Sequence, residues 1–184
     1  MKVRCLHLLR HGAVEQAGRL WGHGEAVPTM AGLADCRERV CGLTVGRVIA
    51  SDLSRAATAA QAIAQDFGAE LSLDPRWREL DFGAWDGADP EDLGAAVQRF
   101  WDDPVGNPPP GGESWGVLRE RVAIALCAID DDALVITHAG PIRAALSILL
   151  GLDYRQCWAF HLPYASLISL RVWDDGAQVT GLWA

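Results

Sequence analysis

The chain has 184 residues, of which 50% are hydrophobic and 22% charged; that balance excludes a disordered polymer and is enough for one domain, residues 1–184, with a sizeable core. A formal net charge of −8 excludes a general attraction to nucleic acid or to an anionic membrane surface, so any phosphate site has to be local. Five cysteines with no C-x-x-C pair argue against a disulfide framework and a zinc ribbon, and suit a reducing cytoplasm. No run approaches a membrane span, and the first residues lack the long apolar core of a signal peptide, so a cytoplasmic location is expected.

In chain order, residues 3–9 form a short, apolar run expected to be a buried first strand, which delivers Arg10 and His11 at its carboxyl end, followed by Gly12. In an open α/β sheet that is where ligands collect. An arginine fork beside a neutral imidazole suits an anion and an electrophile, although taken alone a strand-end histidine is more often structural. Residues 13–30 are too irregular for helix or strand and long enough to be a functional loop beside the site.

A helix is expected over 31–43 and a short strand over 47–50. Ser54 reads as an N-cap for an alanine-rich helix over 55–67, closed by Gly68. Arg55 then sits in a first turn, where free N–H groups and the helix dipole favour an anion; its bland reading is a solvated surface arginine. After a weak strand at 70–73 comes Glu79, set among Trp77, Phe82 and Trp85. Burial there would raise its pKa toward that of a general acid, while the alternative is a surface pair with Arg76 or Arg78.

A helix is expected over 90–101. The Pro- and Gly-rich loop 102–112 ends against Glu113 and Ser114 and reads as a shaped wall of the site rather than a linker, with Ser114 capping a core helix over 115–129. Residues 133–137 repeat the opening pattern: a buried strand, then His138-Ala139-Gly140, then a helix over 141–150 that starts at a proline and stops at Gly151. His11 and His138 can meet only if the two strands are neighbours. A hairpin over 166–173 and 178–183 closes the chain.

With those residues in view, the sequence resembles the histidine phosphatase superfamily, which includes cofactor-dependent phosphoglycerate mutases and many small phosphatases. Leu9-Arg10-His11-Gly12 is similar to its R-H-G signature, Ser51-Asp52-Leu53-Ser54-Arg55-Ala56 to S-D-L-x-R-A, the stretch from Glu79 to Gly87 to E-x-x-x-G-x-W-E-G, and Thr137-His138-Ala139-Gly140 to S-H-G-G. The resemblance implies a three-layer α/β/α sandwich with a mostly parallel sheet. It also implies a metal-independent phosphomonoester hydrolase that needs no cofactor: His11 is the phosphorylated nucleophile, Arg10, Arg55 and His138 hold the phosphoryl group, and Glu79 donates the proton.

Two departures touch the substrate side, Ala13 where a glutamate is common and Val27-Pro28 where Pro-Leu is usual; a third, Ala139 where glycine is usual, is a small change expected to be tolerated. The stretch from Phe100 to Pro104 and the Pro109 to Ser114 segment are most similar to the α-ribazole phosphatases of cobalamin assembly. That implies a nucleoside-like monoester lying against Trp101 and Trp115, with Glu113 as a further substrate contact. The expected partner is a small phosphomonoester, with no nucleic acid or membrane; oligomeric state is left open. The rivals are a phosphoglycerate mutase, a broad-specificity phosphatase, a non-catalytic phospholigand-binding module and, more distantly, a metal site using His7 and His11.

Overall fold

The structure is a computed structural model that describes residues 2–184. In chain order its elements are β1 (Arg4–Arg10), α1 (Met30–Arg39), β2 (Arg47–Ala50), α2 (Ser54–Phe67), β3 (Glu70–Leu73), α3 (Pro90–Leu93), α4 (Ala95–Asp102), α5 (Trp115–Cys127), β4 (Ala133–Thr137), α6 (Ala139–Leu150), α7 (Tyr154–Cys157), β5 (Leu167–Trp173) and β6 (Gly176–Trp183). Single 3-10 turns lie at Pro75–Trp77 and Gly83–Trp85.

The strands form one sheet in the order β3-β2-β4-β1-β5-β6. The first four are parallel, and β5 and β6 add an antiparallel edge. Alternation along each strand makes two cores. Leu6, Leu8, Ile49, Val135 and Ile168 face a layer built on α4, α5 and α6; Leu9, Val48, Ala50, Leu134 and Ile136 face α1 and α2. The result is a three-layer α/β/α sandwich with a mostly parallel sheet, as the sequence implies.

The connections locate the site. After β1 the chain enters α1 on one face; after β4, β1's parallel neighbour, it enters α6 on the other. Helices leaving adjacent parallel strands in opposite directions open a crevice at the strands' carboxyl ends. His11 and His138 stand at its lip.

Several local expectations shift. Ser54 is not a cap: the N-cap of α2 is Leu53, and the Ser54 N–H and hydroxyl donate instead to the Glu25 carboxylate, reaching in from the 13–30 loop. The helix expected over 90–101 is broken by Gly94, whose φ of 53° leaves the helical region, into α3 and α4. Ser114 caps α5 as expected, accepting from the Val117 N–H. Among the described residues no helix is long and apolar enough to cross a membrane. The five cysteines are free thiols.

Candidate active site

β1 and β4 pair in parallel with Arg10 opposite Thr137, and the His11 N–H donates to the Thr137 carbonyl at 2.8 Å. The register brings the two imidazoles together, with centroids 5.0 Å apart in an edge-on arrangement. His11 is 5% exposed and His138 fully buried. Burial, then the charges of Arg10 and Arg55, push the His11 pKa well below its ordinary value; burial, then Arg55, does the same to His138. Both rings are neutral at physiological pH.

Hydrogen bonds fix which nitrogen carries the proton. His11 Nδ1 lies 2.8 Å from the Gly12 carbonyl, which can only accept, so Nδ1 is the donor and Nε2 keeps a free lone pair. The close turn requires Gly12, since a Cβ there would stand 2.0 Å from the Gly32 carbonyl oxygen. His138 Nδ1 accepts from Arg55 Nε at 3.2 Å, so its Nε2 donates to the buried Ser51 hydroxyl at 2.9 Å.

Arg55, 1% exposed, is anything but a solvated surface arginine. Its Nη1 donates to the Gly24 carbonyl and its Nη2 to those of Gly22 and Trp21, so the irregular 13–30 loop folds around this guanidinium. The Asp86 carboxylate pins the same turn from the other side by accepting from the Gly22 and Gly24 N–H groups. Arg10 donates from Nη1 to the Leu162 carbonyl and stacks on Tyr164, 4.3 Å from the ring centroid; its Nε is buried without a partner. Tyr164 also packs against His11 at 5.4 Å. The next residue, Ala165, holds a left-handed φ of 56° while its N–H caps the His11 carbonyl. That strain of about 1–2 kcal/mol sits where the backbone sets the nucleophile.

Glu79 joins this cluster from the opposite lip. Its carboxylate accepts from the Leu80 N–H at 2.9 Å and the Gly140 N–H at 3.0 Å, at the N-terminal end of α6. Its charge reaches Arg10 and Arg55. The surface-pair alternative is excluded, because Arg76 binds Asp74 and Arg78 binds Asp52. Beside Glu79 opens an apolar cavity of about 90 Å³ whose wall includes Trp101 and Trp115.

Glu113, expected at the substrate, is not brought into the cluster. Both its oxygens accept from Arg121, at 2.7 and 2.8 Å, and one also accepts from the Asp81 N–H. Arg121 in turn donates to the Arg76, Arg78 and Glu79 carbonyls, gripping the strand-like segment that presents Glu79. Arg121, Tyr164 and Arg143, which also lines the cavity, escaped the sequence reading, and Ser51 figured there only as the first residue of a motif, with no role; each looks like an ordinary helix or loop residue until tertiary contacts are known. His7 donates to or accepts from Ser169 on β5, and among the described residues no group of three or more metal-ligating side chains is gathered.

Comparison with known proteins agrees with this geometry. The chain is 30% identical over 190 residues to the bifunctional protein Rv2228c of Mycobacterium tuberculosis, covering 94% of this chain but only 51% of that protein, so it spans about half of that relative's length. It is 30% identical over 162 residues to the probable phosphoglycerate mutase GpmB of Erwinia tasmaniensis, covering 80% of this chain and 75% of that one. Its fold superposes on the alpha-ribazole phosphatase of Shigella flexneri with a TM-score of 0.87 at 20% identity, over 98% of this chain and 96% of the other. The family profile of the histidine phosphatase superfamily, branch 1, matches residues 6–183, nearly everything from the first strand to the last; the chain belongs to that superfamily.

Proposed function

We propose that the chain hydrolyses phosphate monoesters through a phosphohistidine on His11. One observation carries this most directly: the Gly12 carbonyl holds the His11 proton on Nδ1, in a pocket that keeps the ring neutral, so Nε2 is a ready nucleophile. In the first step Nε2 attacks phosphorus, the ester P–O bond breaks, and Glu79 gives its proton to the departing alkoxide. In the second, Glu79 takes a proton from water as its oxygen attacks phosphorus, the P–Nε2 bond breaks, and phosphate leaves. Arg10 and Arg55 supply the positive charge for the equatorial oxygens, so no metal is required.

His138 has a particular part. Holding Arg55 Nε on Nδ1, it offers no N–H to a ligand. When phosphoryl oxygens draw Arg55 forward, Nδ1 is freed to take the proton of a monoanionic ester, and the imidazolium then donates Nδ1–H to the phosphoryl group while Nε2–H stays on the Ser51 hydroxyl. Glu113 acts through Arg121 on the position of Glu79 and does not touch substrate.

The favoured substrate is α-ribazole phosphate or a related nucleoside-like monophosphate. The apolar cavity beside Glu79, walled by Trp101 and Trp115, supports a leaving group with little charge, and the fold of the Shigella alpha-ribazole phosphatase is shared. A panel of monoesters assayed with and without chelator tests this. The nucleoside-like esters are expected to lead phosphoglycerates by roughly a hundredfold in kcat/KM, the value of burying one ring, with chelator without effect. A win for phosphoglycerate, equal rates throughout, or loss of activity in chelator overturns the assignment. The Erwinia relative favours a mutase as second reading; interconversion of 2- and 3-phosphoglycerate at a rate rivalling hydrolysis would establish it.

A further inference from the structure

The cavity beside Glu79 contains polar atoms that the folded chain leaves unanswered. Arg143 reaches into it from α6, its Cζ 4.0 Å from the centroid of the Trp158 ring, and its Nε is buried with no hydrogen-bond partner. The Tyr154 hydroxyl, from α7, is buried in the same wall; the nearby Trp158 indole can only donate to it, which leaves the hydroxyl's own proton without an acceptor. Two such atoms converging on one small, otherwise apolar space are uncommon, because each costs free energy in the absence of a partner. Among the described residues no carboxylate lies within ion-pairing distance of Arg143; Glu79 acts on it only through space.

The dimensions divide the space in two. The cavity lined by Glu79 and Gly140 measures about 90 Å³, well under the roughly 150 Å³ of a cavity that encloses benzene. It takes a few heavy atoms with polar groups but not an aromatic ring. Trp101, Tyr154 and Trp158 also line a neighbouring open groove of about 340 Å³, edged by Asp102 and Arg155, where a flat ring finds indole and phenol to lie against.

Charge narrows the class further. The Arg143 guanidinium already occupies the face of Trp158, which disfavours a cationic ligand. Apart from Arg143 and Tyr154, most of the wall is apolar, with Leu80, Phe82, Phe100, Trp115 and Leu118, so a second carboxylate or phosphate would lose its water there with little to answer it.

The geometry points to a bipartite leaving-group subsite. Arg143 and the Tyr154 hydroxyl bind the oxygen acceptors of a short, uncharged, hydroxylated spacer next to the scissile ester, and the Trp101–Trp158 groove takes a flat ring attached beyond it. This rests on the phosphomonoesterase reading and adds the residues that select its substrate.

Three probes separate the parts: adenosine 5′-monophosphate has spacer and ring, ribose 5-phosphate the spacer alone, and phenyl phosphate a ring with no spacer. In Arg143→Met, which keeps an apolar stem over Trp158, kcat/KM for the two ribose esters is expected to fall about tenfold to hundredfold more than for phenyl phosphate, as suits loss of a charged hydrogen bond. Tyr154→Phe should shift the same ratio in the same direction by a smaller factor. Both variants should melt no lower than the parent, since each removes a buried polar atom that lacks a partner; a side chain kept for structure would cost several degrees. Equal losses on all three probes, no loss, or a marked fall in melting temperature overturns the proposal. Failure of the phosphatase reading itself looks different: the parent enzyme would then release no phosphate from any probe.

Discussion

Keeping His11 and His138 neutral inside the protein makes folding dependent on pH. Their folded pKa values are depressed by burial and the nearby arginines, and burial lowers that of His7 as well. The unfolded chain therefore binds protons that the folded one refuses once pH falls below about 6.5. Stability should be level above that point and decline as pH drops from about 6.5 toward the folded values, by up to about 1.4 kcal/mol per pH unit for each histidine. Urea midpoints measured at pH 7.5 and 5.5 check this; equal midpoints would mean the rings are charged in the fold. Glu79→Gln should slow poor leaving groups by about 10²–10⁴ and an activated aryl phosphate far less, whereas Arg55→Ala should impair both. Ser51→Ala deprives His138 Nε2 of its partner, and about a tenfold loss in kcat is expected on every monoester. At this scale the sequence was informative where chemistry stands at strand ends: Arg10, His11, Arg55 and His138 converge as the motifs imply. Ser51 and Tyr164 were not legible, because nothing local tells a buried serine that it will meet a histidine 87 residues away.

Elements act on the site by gripping its backbone. Helix α5 sends Arg121 to the carbonyls of Arg76, Arg78 and Glu79, and the Thr137 hydroxyl at the end of β4 donates to the Trp77 carbonyl at 2.6 Å. Glu113→Gln should therefore behave as a weaker Arg121→Met, lowering kcat for poor leaving groups with KM little changed; a rise in KM alone would instead put Glu113 at the substrate. Gly140→Ala tests the floor of the site. Its Cβ would stand 2.1 Å from Glu79 Oε1, so the carboxylate must move, and kinetics resembling Glu79→Gln are expected in a protein of near-normal stability. Strands β2 and β4 have the bounds that their apolar runs announce, because those runs are buried and stop at polar residues, and the half-polar, half-exposed β3 keeps the bounds of the weak strand expected there. Less was legible where one residue overrides a pattern. Gly94 divides a helix whose flanks both favour helix, and Glu25 takes over the capping role that Ser54 suggests by position.

At the scale of the whole molecule, the sheet order decides that two histidines 127 residues apart share one crevice, because β4 inserts beside β1 and their helices leave on opposite faces. Strand neighbourhood is a long-range property, and the repeated strand, histidine, glycine, helix pattern suggests it without encoding it. The family resemblance supplied the arrangement, and the structure supplies the reason it works: a net charge of −8 is compatible with phosphate chemistry because Arg10, Arg55 and Arg143 concentrate positive charge where the strands end. The leaving-group side was the least legible, since Arg143 reads as a routine helix residue and Tyr154 lies past the expected helix in a stretch that carries no motif. What everything else depends on is a covalent bond to His11. Rapid acid-free quenching of the enzyme with a labelled monoester should trap a phosphoenzyme that survives alkali, is lost in acid, forms before phosphate is released, and is absent in His11→Ala. A parent enzyme that turns over with no such species, or a His11→Ala variant that still forms it, would contradict the mechanism.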